Sequence, residues 1–379
     1  MTPAVLGVGM TRFGRQPKRS AVDLAADAIR QAVAHSGVNL GDVQALFCGT
    51  LYLRPGMGQQ VAAALGLAGK PVVNVDNACA SSTSGMREAM AWIGAGEVDL
   101  ALCIGVETMS TTNKGPLKLD VEDPVGGSGM VMPAEYAFKG ARYLEEYPQA
   151  RAEDFAAVAV KSRRHAALNP RAHFQTEVTL EEVLGSPPIV DPLTLFQCCP
   201  KSDGASAAII GSENAAKRFG GMPVFVRSSV TAAGGLRDRS DADRDTTSVL
   251  AREAYEAAGI GPADVDVAEV QDPFTIAEVV YTESLGLLPQ GEGAVRAARG
   301  ETSLGGGGRV VVNPDGGLLS RGHPLGATGL AQVAEIVWQL RGEAGDRQVE
   351  GAKMGLQHSA GLSVMDLEFN GCFVQVYSR

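Results

Sequence analysis

Cys79 stands in the stretch NACASSTSGMREA, between the apolar run PVVNV (71–75) and a Ser/Thr-rich segment of helical spacing, SSTSGMREAMAWIGAG (81–96). A thiol at a helix N-terminus faces unpaired backbone N–H groups and the positive end of the macrodipole, which favour thiolate and lower its pKa. The small neighbours Ala78, Ala80, Ser81 and Ser82 would let a ligand approach closely, and the same N–H groups suit an oxyanion. The bland alternative is a buried small hydrophobe, the common fate of cysteine.

His323 is the strongest partner by type and setting. It lies in SRGHPLGATG, where Gly322 and Gly326 permit sharp backbone geometry and Pro324 fixes the chain after the imidazole. Such a histidine can deprotonate a thiol or polarise a carbonyl, and can equally be a capping or packing residue. His358, in GLQHSAGLSV, also stands beside a glycine turn, before a strand-like run. His35 and His165 read as solvated residues of amphipathic helices, and His173 sits in a polar loop. Cys48, Cys103, Cys198, Cys199 and Cys372 complete a set without CxxC pairs or Cys/His zinc spacing, so no metal site is expected. The tetrad GGGG (305–308) is followed by no GxxxxGK[ST] pattern and reads as a tight turn into VVVN. Lys161, Arg163 and Arg164 read as a solvated helix face, with phosphate binding as the alternative.

The elements that must hold these residues alternate between strand and helix patterns. AVLGVG (4–9), VQALFCGT (43–50), PVVNV and VDLALCIGVE (98–107) flank segments of helical spacing, which argues for α/β with parallel strands. From Thr111 to about Gly204 the character changes to an insertion outside the sheet. The second half repeats the theme from VFVRSSVTA (224–232) onward. Val72-Val73-Asn74 before the Cys79 turn echoes Val311-Val312-Asn313 before PDGGLLSRGHPLGATG, and a helical segment follows each. Two similar halves are expected, 1–222 and 223–379, each offering one reactive turn.

At 379 residues, 45% hydrophobic and 20% charged, the chain has ordinary globular composition. Its formal net charge of −10 argues against bulk nucleic-acid binding. No window offers about 18 uncharged apolar residues and the N-terminus lacks a signal pattern, so a cytoplasmic protein without membrane spans is expected.

Taken with LGVGMTRFG, PAEYAFKGARY, AVKSRRHAALNP, DPLTLFQCCPKSDGASAAI and GLQHSAGL, these segments make the chain resemble the thiolase superfamily almost end to end, and within it the sterol-carrier-protein-type thiolases. The resemblance implies a five-layer αβαβα fold of two pseudo-symmetric halves with a loop domain, assembled as homodimers or homotetramers. It implies an acyl-CoA substrate without a covalently bound cofactor, Cys79 as acyl acceptor, His323 as its base, and the Gly361 N–H in an oxyanion hole. A small OB-fold partner protein is a further implication.

Departures from the family pattern concern the second acid/base. Ordinary thiolases carry a second cysteine near the C-terminus, where this chain has QHSAG; the sterol-carrier type has HDCF, where it has Gln271-Asp272-Pro273-Phe274. Pro273 cannot transfer a proton, His358 is the nearest replacement on sequence grounds, and Gln271 can hold a water through its amide. Three readings result: a C-acyltransferase making or cleaving a β-ketoacyl-CoA, a retro-aldol lyase acting on a CoA thioester, and a weakly catalytic acyl-CoA-binding subunit.

Overall fold

Alternating patterns become strands whose two faces pack against different helix layers. The computed structural model of the chain describes residues 2–112, 115, 124–219, 221–234, 245–362 and 369–379. The first half holds β1 (Ala4–Met10), β2 (Ala45–Gly49), β3 (Val72–Val75) and β4 (Leu100–Thr108). After a small hairpin of β5 (Pro188–Val190) and β6 (Leu193–Thr194) it closes with β7 (Asp203–Gly211). The second half holds β8 (Val224–Ala232), β9 (Val267–Glu269), β10 (Val311–Val312), β11 (Met354–Ala360) and β12 (Cys372–Ser378).

The repeat is visible in the pairing itself. In the first half β2 runs parallel to β3 and β4, β4 antiparallel to β7, and β7 antiparallel to β1. In the second, β9 runs parallel to β10 and β11, β11 antiparallel to β12, and β12 antiparallel to β8. The halves join edge to edge where Ala4 and Val5 pair with Phe225 and Val224, giving one ten-stranded sheet.

Between the halves lie α3 (Ser81–Gly94) and its counterpart α14 (Thr328–Arg341). Val5, Phe47, Ala101, Cys103 and Ile210 face this central layer together with Met86, Leu330 and Val337. The alternate residues Leu46, Cys48, Leu102, Ile104 and Ile209 face α1 (Ala21–Ser36) and α2 (Met57–Ala64) on the outside. This period of two is what a strand buried on both faces requires. On the far side of the second half the helix Thr246–Ala258 packs on β8 and β12, and α14 touches strands of both halves. The ten-stranded sheet therefore wraps around the central helices, and the order is helix, sheet, helix, sheet, helix.

Between β4 and β7 come α4 (Met109–Thr112), α5 (Pro124–Gly127), α6 (Met132–Glu146), α7 (Ala152–Ala167) and α8 (Leu180–Leu184). The remaining helices are α9 (Glu213–Phe219), α10 (Thr246–Ala258), α11 (Thr275–Ser284), α12 (Gly293–Ala298) and α13 (Gly317–Ser320). Helix α7 differs from its sequence reading. Instead of a solvated face it buries Lys161 against Glu278, stacks Arg163 over Phe174 at 3.7 Å, and places His165 between Asn313 O (2.9 Å) and Leu304 N (3.0 Å). The charges on α7 that read as a solvent face are therefore partly used to dock the insertion onto the second half. His35 is likewise engaged, accepting from Val8 N at 3.0 Å and meeting Glu343 at 2.8 Å. Among the described residues no helix is long and apolar enough to cross a membrane.

Candidate active site

The chain leaves β3 at Val75 and reaches α3 through a 3-10 turn, Ala78–Ala80. Ala78 holds φ at +49°, a left-handed conformation costing a residue with a Cβ about 1–3 kcal/mol. Asp76 Oδ1 accepts from Ala78 N (3.1 Å), Ala80 N donates to Asn77 O (2.9 Å), and Ser81 Oγ accepts from Asn77 N (2.9 Å). These bonds hold the strained turn, which delivers Cys79 to the start of α3. Its side chain is 5% exposed and packs with Met109 and Leu325.

Burial changes the expected chemistry of this thiol. Desolvation pushes its pKa up to about 12, against the lowering effect of its own backbone N–H, and the Glu107 charge adds to the rise. The helix N-terminus therefore does not yield a standing thiolate, contrary to the sequence expectation. Cys79 is a neutral thiol that needs a base at the moment of attack.

His323 has the properties of that base. Burial, helped by the Arg321 charge, pushes its pKa down to about 3, so the imidazole is neutral at neutral pH. Its Nδ1 lies 2.7 Å from Thr328 Oγ1, whose own proton goes to Pro324 O at 3.0 Å. With the hydroxyl proton assigned to Pro324 O, Thr328 accepts from Nδ1–H, and in that tautomer Nε2 keeps a lone pair. Upstream, Arg321 is anchored by Glu269 (3.1 Å) and Asp315. Gly322 follows at φ +108°, where a Cβ would stand 2.5 Å from Ser202 Oγ. Only glycine lets the chain turn here with Ser202 so close.

The two turns meet. The 3-10 turn Leu325–Ala327 packs on Ala78–Ala80, and Leu330 N donates to Ser82 Oγ at 3.1 Å. Beneath both lies Glu107, accepting from Leu51 N (2.9 Å), Tyr52 N (3.0 Å) and Gly326 N (3.3 Å). Burial outweighs these bonds and lifts its pKa to about 7. Among the described residues Cys79 Sγ and the His323 ring make no direct hydrogen bond; Cys79 packs on Leu325, two residues beyond His323, and hydrogen bonds of this kind often form only once substrate is bound.

Two expected site residues are engaged elsewhere. His358 is fully buried, in β11, with Thr247 Oγ1 at 3.3 Å, Cys372 Sγ at 3.6 Å and the Tyr281 ring at 4.6 Å. Its neighbours Gln357 and Ser359 meet Thr83 of the central helix, so strand alternation turns His358 to the opposite face. It is therefore not brought beside Cys79. Gly361 does pack against Asn77 O, next to the Cys79 turn, but its N–H donates to Gly371 O at 2.8 Å. That N–H extends the β11–β12 ladder instead of facing an oxyanion. Gln271 is buried in the turn between β9 and α11, and its Oε1 has no partner among the described residues.

Sequence reasoning passed over Cys199, Tyr136 and Tyr281. The Tyr136 and Tyr281 hydroxyls are 2.9 Å apart, and the Tyr136 ring lies 4.8 Å from Phe274 of the QDPF turn. The doubled cysteine in FQCCPKSDG was the available signal for Cys199.

Comparison with known proteins accords with this geometry. The family model for the thiolase N-terminal domain matches residues 4–214, and that for the thiolase C-terminal domain-like family matches residues 229–368. Sterol carrier protein 2 of Rattus norvegicus is 37% identical over 382 residues, covering 94% of this chain and 69% of that protein. An acetyl-CoA acetyltransferase of Methanothermobacter thermautotrophicus is 38% identical over 378 residues, covering 94% and 96%. The solved Ltp2-ChsH2(DUF35) aldolase superposes with a TM-score of 0.84 at 25% identity, over 100% of this chain and 97% of that one. On fold, sequence and the paired turns of Cys79 and His323, the chain belongs to the thiolase family.

Proposed function

We propose that the protein is a CoA-dependent C-acyltransferase that forms an acyl-enzyme on Cys79 and makes or cleaves a β-ketoacyl-CoA. The observation that carries this reading is the contact of His323 Nδ1 with Thr328 Oγ1 at 2.7 Å, beside that of Thr328 Oγ1 with Pro324 O at 3.0 Å; we assign the imidazole proton to Nδ1, which leaves Nε2 to take the Cys79 proton. The thiolate so formed attacks the thioester or keto carbonyl, and the Cys79 backbone N–H, at the start of α3, suits the resulting oxyanion. Gln271, with its unpartnered Oε1, is the group we assign to holding a water in the second half-reaction. In this reading the halves 1–222 and 223–379 each supply one turn. Homodimers or homotetramers, a cytoplasmic location and a small OB-fold partner belong to it as well; the joined name of the aldolase neighbour supports a partner.

A second reading, retro-aldol cleavage of a CoA thioester, is favoured by that same structural match. Peptide mass spectrometry after incubation with acetyl-CoA and longer acyl-CoAs separates them. The acyltransferase forms an adduct on Cys79, loses thiolysis in Cys79→Ala, and is strongly impaired in His323→Ala. Absence of an adduct with every thioester, with aldehyde release intact in Cys79→Ala, would instead establish the lyase. If neither chemistry appears, the weakly catalytic subunit is the surviving reading.

A further inference from the structure

The C-acyltransferase reading needs a proton-transfer group at the substrate α-carbon, and the residues expected to supply it do not. Pro273 has no proton to give, and His358 faces the outer side of its sheet. Another thiol lies beside the vacated position. Cys199 N donates to Pro273 O at 2.9 Å, Cys198 pairs as an isolated bridge with Phe274, and Lys201, two residues on, pairs with His323. The segment FQCCPKSD is thus strung between the QDPF turn and the His323 loop, with Cys199 in the gap.

The electrostatics agree with the backbone geometry. Cys199 lies near enough to Cys79 and Asp272 that either, when ionised, disfavours its thiolate, and Tyr136 is affected in the same way by both Cys79 and Cys199. The QDPF turn facing it carries two buried polar atoms without a partner among the described residues, Gln271 Oε1 and Asp272 Oδ2. Cys48, Cys103 and Cys372 are buried within the fold, whereas Cys199 is half-buried on the segment that links the QDPF turn to the His323 loop.

We propose that Cys199 is the second catalytic thiol, transferring the proton at the substrate α-carbon in place of the cysteine that Pro273 replaces. The proposal rests on the acyltransferase reading. In thiolysis, His323 takes the Cys79 proton and the Cys79 thiolate adds to the β-carbonyl of the β-ketoacyl-CoA. The bond between α- and β-carbons breaks with its electron pair going to the α-carbon, which takes the Cys199 S–H proton and leaves as acetyl-CoA. The incoming CoA thiol then gives its proton to the Cys199 thiolate, and CoA thiolate attacks the acyl-Cys79 thioester. Cys79 leaves as thiolate and recovers its proton from His323. Burial raises the Cys199 pKa well above its ordinary value, which keeps the group in the S–H form this donation requires.

The test is exchange of substrate α-protons into D2O, followed by mass spectrometry of the thioester alongside acylation of Cys79. The probe is acetyl-CoA, or the shortest acyl-CoA that labels Cys79. Cys199→Ala is expected to acylate Cys79 at close to the wild-type rate while losing α-exchange by at least about 100-fold. Cys199→Ser, which keeps a weaker proton donor, is expected to fall between. Exchange at the wild-type rate in Cys199→Ala overturns the proposal, as does an equal fall in acylation and exchange, which marks a structural role. Loss of exchange in Tyr136→Phe with retention in Cys199→Ala transfers the role to the tyrosine and also overturns it. If the wild-type protein is not acylated by any acyl-CoA, the acyltransferase reading itself fails, and this inference with it.

Discussion

Replacing Thr328 by valine removes one hydroxyl and nearly nothing else, because the two side chains have almost the same shape. That hydroxyl is the acceptor for His323 Nδ1–H at 2.7 Å. Without it the Nδ1–H is buried and unpaired, which costs about 1–3 kcal/mol. The imidazole can escape this cost by moving its proton to Nε2, and in that tautomer it cannot receive the Cys79 proton. At 1.36 kcal/mol per factor of ten, the active tautomer becomes scarcer by roughly 5- to 160-fold. The rate of Cys79 acylation should fall by the same factor.

Rapid quench and intact-protein mass spectrometry measure that rate directly. Thr328→Ser restores the acceptor and should recover most of it, which a merely steric role for Thr328 would not produce. The pH dependence of acylation should gain no new limb near pH 6.5, because burial and the Arg321 charge continue to hold the imidazole neutral down to about 3. Acylation of Thr328→Val at the wild-type rate would refute the tautomer argument and with it the assignment of His323 Nε2 as the base.

Two further substitutions probe the frame around the site. In Gly105→Ala the new Cβ would stand 2.2 Å from Gly326 O and 2.7 Å from Ala327 Cα, both backbone of the His323 side. Urea unfolding should show a loss of about 1–3 kcal/mol, with acylation reduced as the two turns are forced apart. His358→Gln tests a titration. Burial holds His358 neutral in the fold down to about 3, whereas the unfolded chain takes up that proton near 6.5. Between those values the unfolded state binds more protons, so His358 lowers stability as pH falls below about 6.5. Moving from about pH 7.5 to about pH 5.5, the wild type should lose about 1.4 kcal/mol more than His358→Gln. Equal losses would show that His358 titrates in the fold as it does in the unfolded chain and refute its buried neutral state, and wild-type acylation in the variant is expected because the side chain faces away from Cys79.

Signals confined to a few neighbouring residues were readable from the chain. Cys79 at a strand-to-helix turn and His323 among glycines depend on local spacing, and the alternating faces of β4 and β7 follow from period two. The misreadings share a different cause. The direction of His358 depends on which parity of β11 faces Thr83, and the occupation of the Gly361 N–H depends on Gly371, brought back by the following strand. The fate of the Cys79 pKa depends on how much protein closes over a helix N-terminus, and the helix end alone does not contain that quantity. Cys199 gains its meaning from Pro273, 74 positions away, and Ala78 gives no sign in its identity of the left-handed φ it adopts.

The repeat explains why the two halves build one site. Helices α3 and α14 are counterparts, each entered through a 3-10 turn and laid side by side between the sheets. Cys79 is the middle residue of the first turn, and the middle residue of the second is Gly326. There the absence of a side chain is required: a Cβ would meet Gly49 O at 2.7 Å and Thr50 Cα at 2.8 Å, while Gly326 N reaches the Glu107 carboxylate. A side chain at that place would collide with the backbone at the end of β2. The second half instead reaches its turn by a longer path from β10, through α13, and that path carries His323. Duplication supplies two equivalent helix entrances, and the close contact between them leaves room for a thiol on one and a base on the approach to the other.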